Sequence, residues 1–418
     1  MSSDRIAHHI DGDRLWQRHM ELARFGALAN GGVNRQALSE EEIAARAELV
    51  RWGRAIGLMP FTDVAGNLFL RLEGQQPDLP PVLIGSHIDS QPSGGKFDGV
   101  FGVLAALEVL AAIVANGHRP LRAIEVVAWM NEEGSRFAPG MMGSALYTGA
   151  RSLNQVLPIT DKDGISVADA LNALLARDID IPQRPLARPA ACLLEAHIEQ
   201  GPILELESKT IGIVTGIQGK RTFRVTVSGE ENHAGTAPRS VRRDALVATV
   251  SILDALHAAM WDDGDITRFT VGRLNVTPNA PSVVPAKVEF SIDLRHPDTE
   301  TLQRLGDRIA DICSSHAGRC SAVVDQLLHD PPLAFPDVMR ATLARAAESI
   351  AAPSMMIASG AGHDARYLHY FCPTGMIFVP CRAGISHNEA EWAEKDHLTA
   401  GAQVLAVAAA ELASNPTS

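Results

Sequence analysis

The first part of the chain alternates between helical and strand-like spacing of its apolar residues. Apolar positions that recur every three to four residues predict two amphipathic helices, over 13–28 and 39–56. A hairpin is predicted over 59–72, because two short apolar segments flank the turn residues Ala-Gly-Asn. These elements precede a more strongly apolar part of the chain.

Continuous apolar runs then replace the amphipathic pattern. The run 81–85 is typical of a strand that is buried on both faces, and 122–130 predicts a second such strand. A long apolar helix is predicted between them, over 99–115. Because a strand, a helix and a strand in this order form a βαβ unit, the pattern predicts an α/β sheet with helices on both faces.

Residues 213–328 show a different order of elements, which is βαββαβ. The predicted elements are strand 222–228, helix 240–259, strands 268–276 and 283–295, helix 299–315 and strand 320–327. Four antiparallel strands with two helices form a self-contained α+β unit. We therefore predict two domains: a larger one built from 1–212 and 329–418, and a smaller one inserted at 213–328.

Composition narrows the function classes. The chain has 418 residues, of which 46% are apolar and 21% charged, as in ordinary globular proteins. It has 37 Lys and Arg against 49 Asp and Glu, a net charge of −12 without a segregated basic run, which disfavours a nucleic-acid partner. No apolar run reaches the ~18 residues of a membrane span, so no membrane association is expected. Five scattered cysteines and a charged amino terminus predict a cytoplasmic protein.

Polar side chains of the kind that bind metals follow directly on the predicted strands. His87 and Asp89 follow the first strand, Asp98 lies in a glycine-rich loop before the apolar helix, and Glu132 and Glu133 follow the second strand. Sites in open α/β sheets form at the carboxyl ends of strands, so we expect these residues in one crevice. Carboxylates and an imidazole in one crevice favour a divalent ion, with zinc ahead of manganese or cobalt.

The same residues differ in their expected tasks. Asp89, two residues after His87, is suited to hold the other nitrogen of that imidazole. Neighbouring side chains of an extended segment point apart, so one of Glu132 and Glu133 can bind metal while the other accepts a proton. A solvated strand exit is the alternative for this pair. His197 and His387 would add the imidazoles for two sites bridged by one carboxylate.

The inserted domain also has candidate residues. His233 follows a predicted strand and Asn279 lies in a predicted turn. Arg295 ends a strand, where its forked guanidinium is suited to bind a substrate carboxylate. Pairing of Arg295 with Asp293 or Asp298 is the alternative.

Eight segments, in order, resemble the hydantoinase/carbamoylase branch of dinuclear metal amidohydrolases. They are SHIDSQPSGGKFDG (86–99), MNEEGSRF (130–137), EAHIEQGP (195–202), NHAGTAP (232–238), NAPSVVP (279–285), DLRH (293–296), SGAGHDA (359–365) and GISHNEAE (384–391). The resemblance extends from about residue 10 to residue 410. It implies a metallo-exopeptidase-like catalytic domain whose mixed sheet is flanked by helices, with an inserted lid and dimerisation domain.

The resemblance also implies a role for each matched position. Two divalent ions would be bound, with Asp98 bridging them and Glu132 acting as general base. One ion would have His87, Asp98 and His197 as ligands, and the other Asp98, Glu133 and His387. Substrate would contact Gln200, His233, Asn279, Arg295 and the Gly360–His363 loop, including Gly362 and His363. His233 would stabilise the oxyanion at the site of a partner subunit, which implies a homodimer.

The implied reaction is hydrolysis of a C–N bond in the ureido group of a small carboxylate, either an N-carbamoyl-L-amino acid or an allantoate-like compound. An aminoacylase or dipeptidase is the first alternative, although the peptidase branches usually have an acidic ligand at the position of His197. A non-catalytic protein that binds metal or ligand on the same scaffold is the second alternative.

Overall fold

Residues 4–415, which the computed structural model describes, form thirteen α-helices, seventeen strands and a short 3-10 helix, Arg382–Gly384. The helices are α1 (Asp4–Ala7), α2 (Gly12–Leu22), α3 (Glu40–Ala55), α4 (Val100–Ala115), α5 (Met142–Tyr147), α6 (Leu153–Val156), α7 (Val167–Arg177), α8 (Ile203–Leu206), α9 (Ala245–Met260), α10 (Thr299–His316), α11 (Asp337–Ser349), α12 (Ala365–Leu368) and α13 (Lys395–Ser414). The strands are β1 (Met59–Asp63), β2 (Leu68–Leu72), β3 (Val82–His87), β4 (Ile124–Trp129), β5 (Gln183–Arg184), β6 (Cys192–Ile198), β7 (Ile211–Ile217), β8 (Gly219–Ser228), β9 (Asn232–His233), β10 (Arg268–Thr270), β11 (Leu274–Thr277), β12 (Val283–Val284), β13 (Lys287–His296), β14 (Ser321–Asp330), β15 (Leu333–Ala334), β16 (Ser354–Ser359) and β17 (Thr374–Val379).

The chain divides into two compact units. The first contains the residues up to Thr215, then Phe335–Ile357, and the residues from Ala361 onward. The second contains Gly216–Ala334 and Ala358–Gly360. The main segment of the second unit therefore nearly coincides with the insertion expected at 213–328, and its ends differ from it by a few residues.

A mixed sheet forms the centre of the first unit, in the strand order β7-β17-β6-β3-β4-β2-β1-β5. Strands β17, β6, β3 and β4 are mutually parallel, whereas β2 runs antiparallel to both β4 and β1. The central strands are buried along their whole length, as the continuous apolar runs predict. The predicted α/β class with a mixed sheet flanked by helices is confirmed.

The parallel order of four neighbouring strands determines where a functional site can form. The carboxyl ends of β17, β6, β3 and β4 lie along one edge of the sheet, so the segments that leave these strands meet there. The apolar helices α4 and α13 pack against each other and against β3 and β6. This core fixes the four strands, and thereby the starting points of the four segments.

A smaller antiparallel sheet forms the centre of the second unit, in the order β10-β13-β8-β14, with β11 also paired to β13. Buried and half-buried residues alternate along β8 and β13. The buried set packs with α9 and α10 in one hydrophobic cluster that includes Phe223, Phe290 and Ile309. On β8 and β13 the other face has mainly polar and charged side chains.

Two predicted strands of this unit are interrupted in the structure. The strand expected over 268–276 is divided, because Thr270 pairs with Asp293 whereas Leu274 pairs with Phe290, which leaves one extra residue on this side. This is a β-bulge at Gly272. The strand expected over 283–295 breaks at Pro285, which has no N–H for the ladder. The sheet therefore has five strands instead of the four expected.

The first predicted helix is also shorter than expected. It was expected over 13–28, but α2 ends at Leu22. Gly26 has a φ of +85°, and a Cβ there would lie 2.3 Å from the carbonyl oxygen of Asn34, so the chain turns instead of continuing the helix. The other predicted helices and the hairpin 59–72 agree with the structure within a few residues at their ends.

Candidate metal centre and active site

The segments at the carboxyl edge of the first sheet bring the predicted ligands together. His87 ends β3, and His197 lies one residue before the end of β6. Glu133 follows β4, and His387 follows β17. Asp98 comes from the loop before α4, on the same edge.

A glycine allows the Asp98 loop to approach His87. Gly99 has a φ of +65°, and a Cβ at this position would lie 2.3 Å from atoms of the His87 ring. Any larger residue would separate Asp98 from the imidazole. This explains the glycine that follows Asp98.

The first donor group consists of His87, Asp98 and His197 and is buried. Nε2 of His197 lies 3.1 Å from Oδ1 of Asp98, and Nε2 of His87 lies 3.8 Å from the same oxygen. The ligand atoms of the group all lie within 4.8 Å of one another. We call this set group one.

The second donor group consists of Asp98, Glu133 and His387. Nε2 of His387 lies 3.3 Å from Oδ2 of Asp98 and 3.3 Å from Oε2 of Glu133. The two groups therefore use different oxygens of one carboxylate. We call this set group two.

Backbone contacts fix the rings of group one. Nδ1 of His87 lies 3.0 Å from the carbonyl oxygen of Asp89, and Nδ1 of His197 lies 2.9 Å from that of Ile198. A proton on each Nδ1 would make both contacts hydrogen bonds and leave Nε2 with a lone pair for a metal. In that tautomer both rings could bind a metal through Nε2.

Asp89 lies next to Nδ1 of His87, and its carboxylate has further partners. Its carboxylate is 3.5 Å from Nδ1 of His87, farther than its own carbonyl oxygen. The two carboxylate oxygens instead accept from the backbone N–H of Glu132 and of Glu133, each at 3.2 Å. Asp89 therefore holds the segment that carries both glutamates.

The Glu132–Glu133 segment is bent, whereas an extended segment was expected. Asn131 before it has a φ of +54°, which turns the chain at the end of β4. The two side chains nevertheless diverge. Oε2 of Glu132 lies 3.6 Å from Nε2 of His87, whereas Glu133 contacts His387.

Further polar residues that the sequence reasoning did not assign hold these carboxylates. The hydroxyl of Ser386 donates to Oδ2 of Asp98 at 2.7 Å, and the side-chain amide of Gln91 donates to Glu133 at 2.7 Å. Glu391 accepts from backbone N–H groups of the Asp98 loop. The available signal was the position of Ser386 and Glu391 inside the GISHNEAE segment, beside His387.

Gln200 lies beside the centre. Its amide N–H donates to Oδ2 of Asp98 at 2.8 Å. Its Oε1 is buried and accepts no hydrogen bond from the residues that the structure describes. Gln200 also has a φ of +57°, a strained conformation of the kind found at functional sites. It therefore holds Asp98 and leaves an acceptor oxygen available.

The predicted Gly360–His363 loop is divided between the units. His363 is buried in the first unit, with its ring centroid 4.6 Å from that of His197. Gly362 lies near Met141, whose sulfur would be 3.6 Å from an added Cβ. Gly360 belongs to the second unit.

Burial and crowding of acids shift the proton affinities in the centre. Burial raises the pKa of Glu132 well above its usual range, and the charges of Asp364 and Glu133 add to this effect. Burial, together with Asp98, raises the pKa of Glu133 to about 7. The hydrogen bond to Asp98 raises the pKa of His387 to about 9. Although burial opposes it, contact with His197 and His387 lowers the pKa of Asp98 well below its usual range.

These donors fit divalent cations. Three imidazoles and two carboxylates converge, and the raised pKa values show that ionised acids are costly there without added positive charge. A divalent ion in each group would offset that cost. The donor chemistry is that of zinc, manganese or cobalt sites.

The second unit contains three of the predicted substrate residues. His233 is exposed on β9, which pairs with β12, and its Nδ1 accepts from the backbone N–H of Gly235 at 2.9 Å and of Thr236 at 3.2 Å. A neutral His233 therefore has its proton on Nε2. Asn279 is exposed in the turn after β11, with a φ of +58°.

Arg295 forms a bidentate ion pair with Asp293, at 2.8 Å and 3.1 Å, and also donates to the carbonyl oxygen of Gly360. Lys220, directly opposite on β8, contacts the same Asp293 at 3.1 Å. The pairing with Asp293 that the sequence left open thus occurs. Two cations share this one carboxylate.

None of the helices in residues 4–415 is long and apolar enough to cross a membrane.

The model of peptidase family M20/M25/M40 matches residues 83–411. The N-carbamoyl-L-amino-acid amidohydrolase of Rhizobium meliloti is 38% identical over 409 residues, 97% of each chain. The allantoate amidohydrolase of Escherichia coli is 36% identical over 398 residues, 94% of this chain and 96% of that one. A crystal structure of a hydantoinase/carbamoylase family amidase from Burkholderia multivorans has 42% identity and a TM-score of 0.91, covering 97% of this chain and 99% of that one.

Proposed function

Because the chain belongs to peptidase family M20/M25/M40, and within it to the hydantoinase/carbamoylase amidases, we propose that it hydrolyses the ureido group of a small carboxylate. The substrate is an N-carbamoyl-L-amino acid or allantoate, the compounds named for its relatives. The observation that carries the proposal is the sharing of Asp98 by two donor groups with Glu132 beside them.

The proposed cofactors are two divalent ions per subunit, zinc first, with manganese or cobalt as alternatives. Group one would hold one ion and group two the other. Bound ions would supply Lewis-acid polarisation of the ureido carbonyl and acidification of the attacking water. The chain's own residues supply the binding, orientation and proton transfer.

Glu132 is the proposed general base. It belongs to neither donor group, and its Oε2 lies 3.6 Å from Nε2 of His87 in group one. A base must work near the operating pH, and burial moves the pKa of Glu132 upward in that direction. Its carboxylate would take a proton from the attacking water and return it to the leaving nitrogen.

Six residues are proposed to contact the substrate, and three of them have a role that the structure suggests. Nε2–H of neutral His233 would donate to the developing oxyanion. Arg295, oriented by Asp293, would bind the substrate carboxylate with the guanidinium N–H groups that Asp293 and Gly360 leave available. Oε1 of Gln200 would accept from a ureido N–H, which would satisfy a buried acceptor. Asn279, Gly362 and His363 remain proposed substrate contacts.

A homodimer is part of the proposal. The second unit exposes many large apolar side chains: Val241, Val247, Val250, Trp261, Ile266, Leu274, Val323, Leu327 and Leu328. Val247 and Val250 are one turn apart on α9, and β14 is an edge strand of its sheet. Such exposure is typical of a surface that a partner covers. We propose that a second copy does so, bringing His233 to the site of the partner subunit.

The proposed location is the cytoplasm. All five cysteines are free, and four of them are buried. Unpaired buried thiols are usual in a reducing compartment.

A substrate panel tests the proposed function. The purified protein is freed of metal with a chelator, reconstituted with Zn²⁺ or Mn²⁺, and assayed for ammonia release from N-carbamoyl-L-amino acids and allantoate. Dipeptides and N-acetyl amino acids serve as the peptidase and aminoacylase controls. Turnover of a ureido carboxylate with little turnover of the controls is expected. Metal binding without turnover of any ureido compound would contradict the proposal and favour a binding protein.

A further inference from the structure

Glu391 is a buried carboxylate that the proposed chemistry does not use. It lies four residues after His387, in the segment between the 3-10 helix and α13, and only 3% of the residue is exposed. An ionisable group is rarely buried unless it is paired or hydrogen-bonded. Its partners therefore indicate its role.

Each oxygen of Glu391 binds a different ligand-bearing loop. Oε1 accepts from the backbone N–H of Phe97 at 2.8 Å and of Asp98 at 3.1 Å. Oε2 lies 3.0 Å from the hydroxyl oxygen of Ser386, the residue before His387, and shares its single proton with Oδ2 of Asp98. Glu391 therefore joins the loop that carries Asp98 to the loop that carries His387.

The two loops approach each other closely because Gly95 has no side chain. A Cβ on Gly95 would lie 2.0 Å from the Glu391 carboxyl group. The Asp98 loop can therefore accommodate Glu391 only with glycine at this position. The Ser386 hydroxyl completes the connection, because it also contacts Oδ2 of Asp98 at 2.7 Å.

The two donor groups depend on such support to different degrees. In group one, His87 and His197 lie within β3 and β6 and have backbone carbonyl oxygens next to Nδ1. In group two, His387 lies in a loop, its side chain is 49% exposed, and its φ is +52°. A non-glycine residue keeps such a φ only when the surroundings impose it.

We propose that Glu391 is a positioning residue for group two, which keeps His387 and Oδ2 of Asp98 close enough to bind the second metal ion. This inference rests on the proposed function, since it takes both donor groups as metal sites. Partners of metal ligands typically change metal affinity by about 10–100-fold when they are replaced. Loss of Glu391 should therefore weaken the second site much more than the first, because group one shares Asp98 but keeps His87 and His197 on their strands.

The test is calorimetric titration of Mn²⁺ into metal-free protein, with metal content measured after dialysis. The wild type should bind two ions per subunit. Glu391→Ala should bind the second ion about 10–100-fold more weakly and the first with a much smaller loss of affinity. The retained first site also shows that the variant is folded.

Two further variants separate positioning from other effects. In Glu391→Gln, the amide oxygen can accept from both backbone N–H groups, and the amide nitrogen can donate to Ser386, so both sites should be retained. Glu394→Ala removes a carboxylate three residues further on, which pairs with Arg382 at the surface, and should also leave both sites unchanged.

Two results would overturn the inference. One is unchanged affinity for both ions in Glu391→Ala, and the other is an equal loss at both sites. Failure of the proposed function is a separate result, since the wild type itself would then bind no metal or hydrolyse no ureido substrate.

Discussion

The two units hold their functional side chains in different ways. In the first, His87 and His197 are fixed by strands that are buried along their length. In the second, His233 and Asn279 are exposed, and half-buried Arg295 is held by an ion pair. A buried metal centre needs fixed ligands, whereas residues that meet a substrate from outside need access. The difference fits the proposed roles, with the metal ligands and the base Glu132 in the first unit and the exposed substrate contacts in the second.

The largest expected loss of activity follows a substitution in the first unit. Glu132→Gln removes the proposed base while keeping the shape of the side chain, so kcat should fall about 10³-fold with two ions still bound. Ammonia release and metal content measure the two effects. Glu199→Gln is the matched control, because Glu199 is a buried carboxylate that accepts from the N–H groups of Ile203 and Leu204 outside the centre. Activity near the wild-type level in Glu132→Gln would remove it as the base.

The next largest expected loss of activity follows a substitution in the second unit. His233→Ala removes one proposed oxyanion donor and should lower kcat about 10²-fold, with metal content unchanged. His316→Ala, which alters an exposed histidine at the end of α10, should have wild-type kinetics. Equal kinetics of the two variants would mean that His233 does not take part in the chemical step.

A smaller effect is expected at Arg295, and it should appear in KM. Arg295→Ala should raise KM for a carboxylate substrate about 10–100-fold, as expected for loss of hydrogen bonds to a charged group, with a smaller change in kcat. Arg224→Ala is the control, since Arg224 also pairs with an aspartate, Asp325, on the same sheet. An unchanged KM in Arg295→Ala would leave its pair with Asp293 as a structural contact only.

The sequence predicted the features that depend on local order along the chain. Continuous apolar runs located the parallel strands, and polar residues directly after them gave His87, Glu132 and Glu133. The family resemblance is confirmed by the match over residues 83–411. The roles assigned to individual residues remain predictions.

Features that depend on distant parts of the chain were not predicted. Glu391 meets Phe97 across 294 residues of sequence, and Gln91 meets Glu133 across 42. Asp89 binds backbone N–H groups, which no residue pattern indicates. The bulge at Gly272 depends on how β10 and β11 align with β13, and spacing alone does not show it.

The most direct measurement follows ammonia release from an N-carbamoyl-L-amino acid while Mn²⁺ is added to the metal-free protein. If two ions share Asp98, with Glu132 beside them, there should be no turnover without metal and full activity only when two ions per subunit are bound. Full activity in metal-free protein, or saturation by a single ion per subunit, would contradict this expectation.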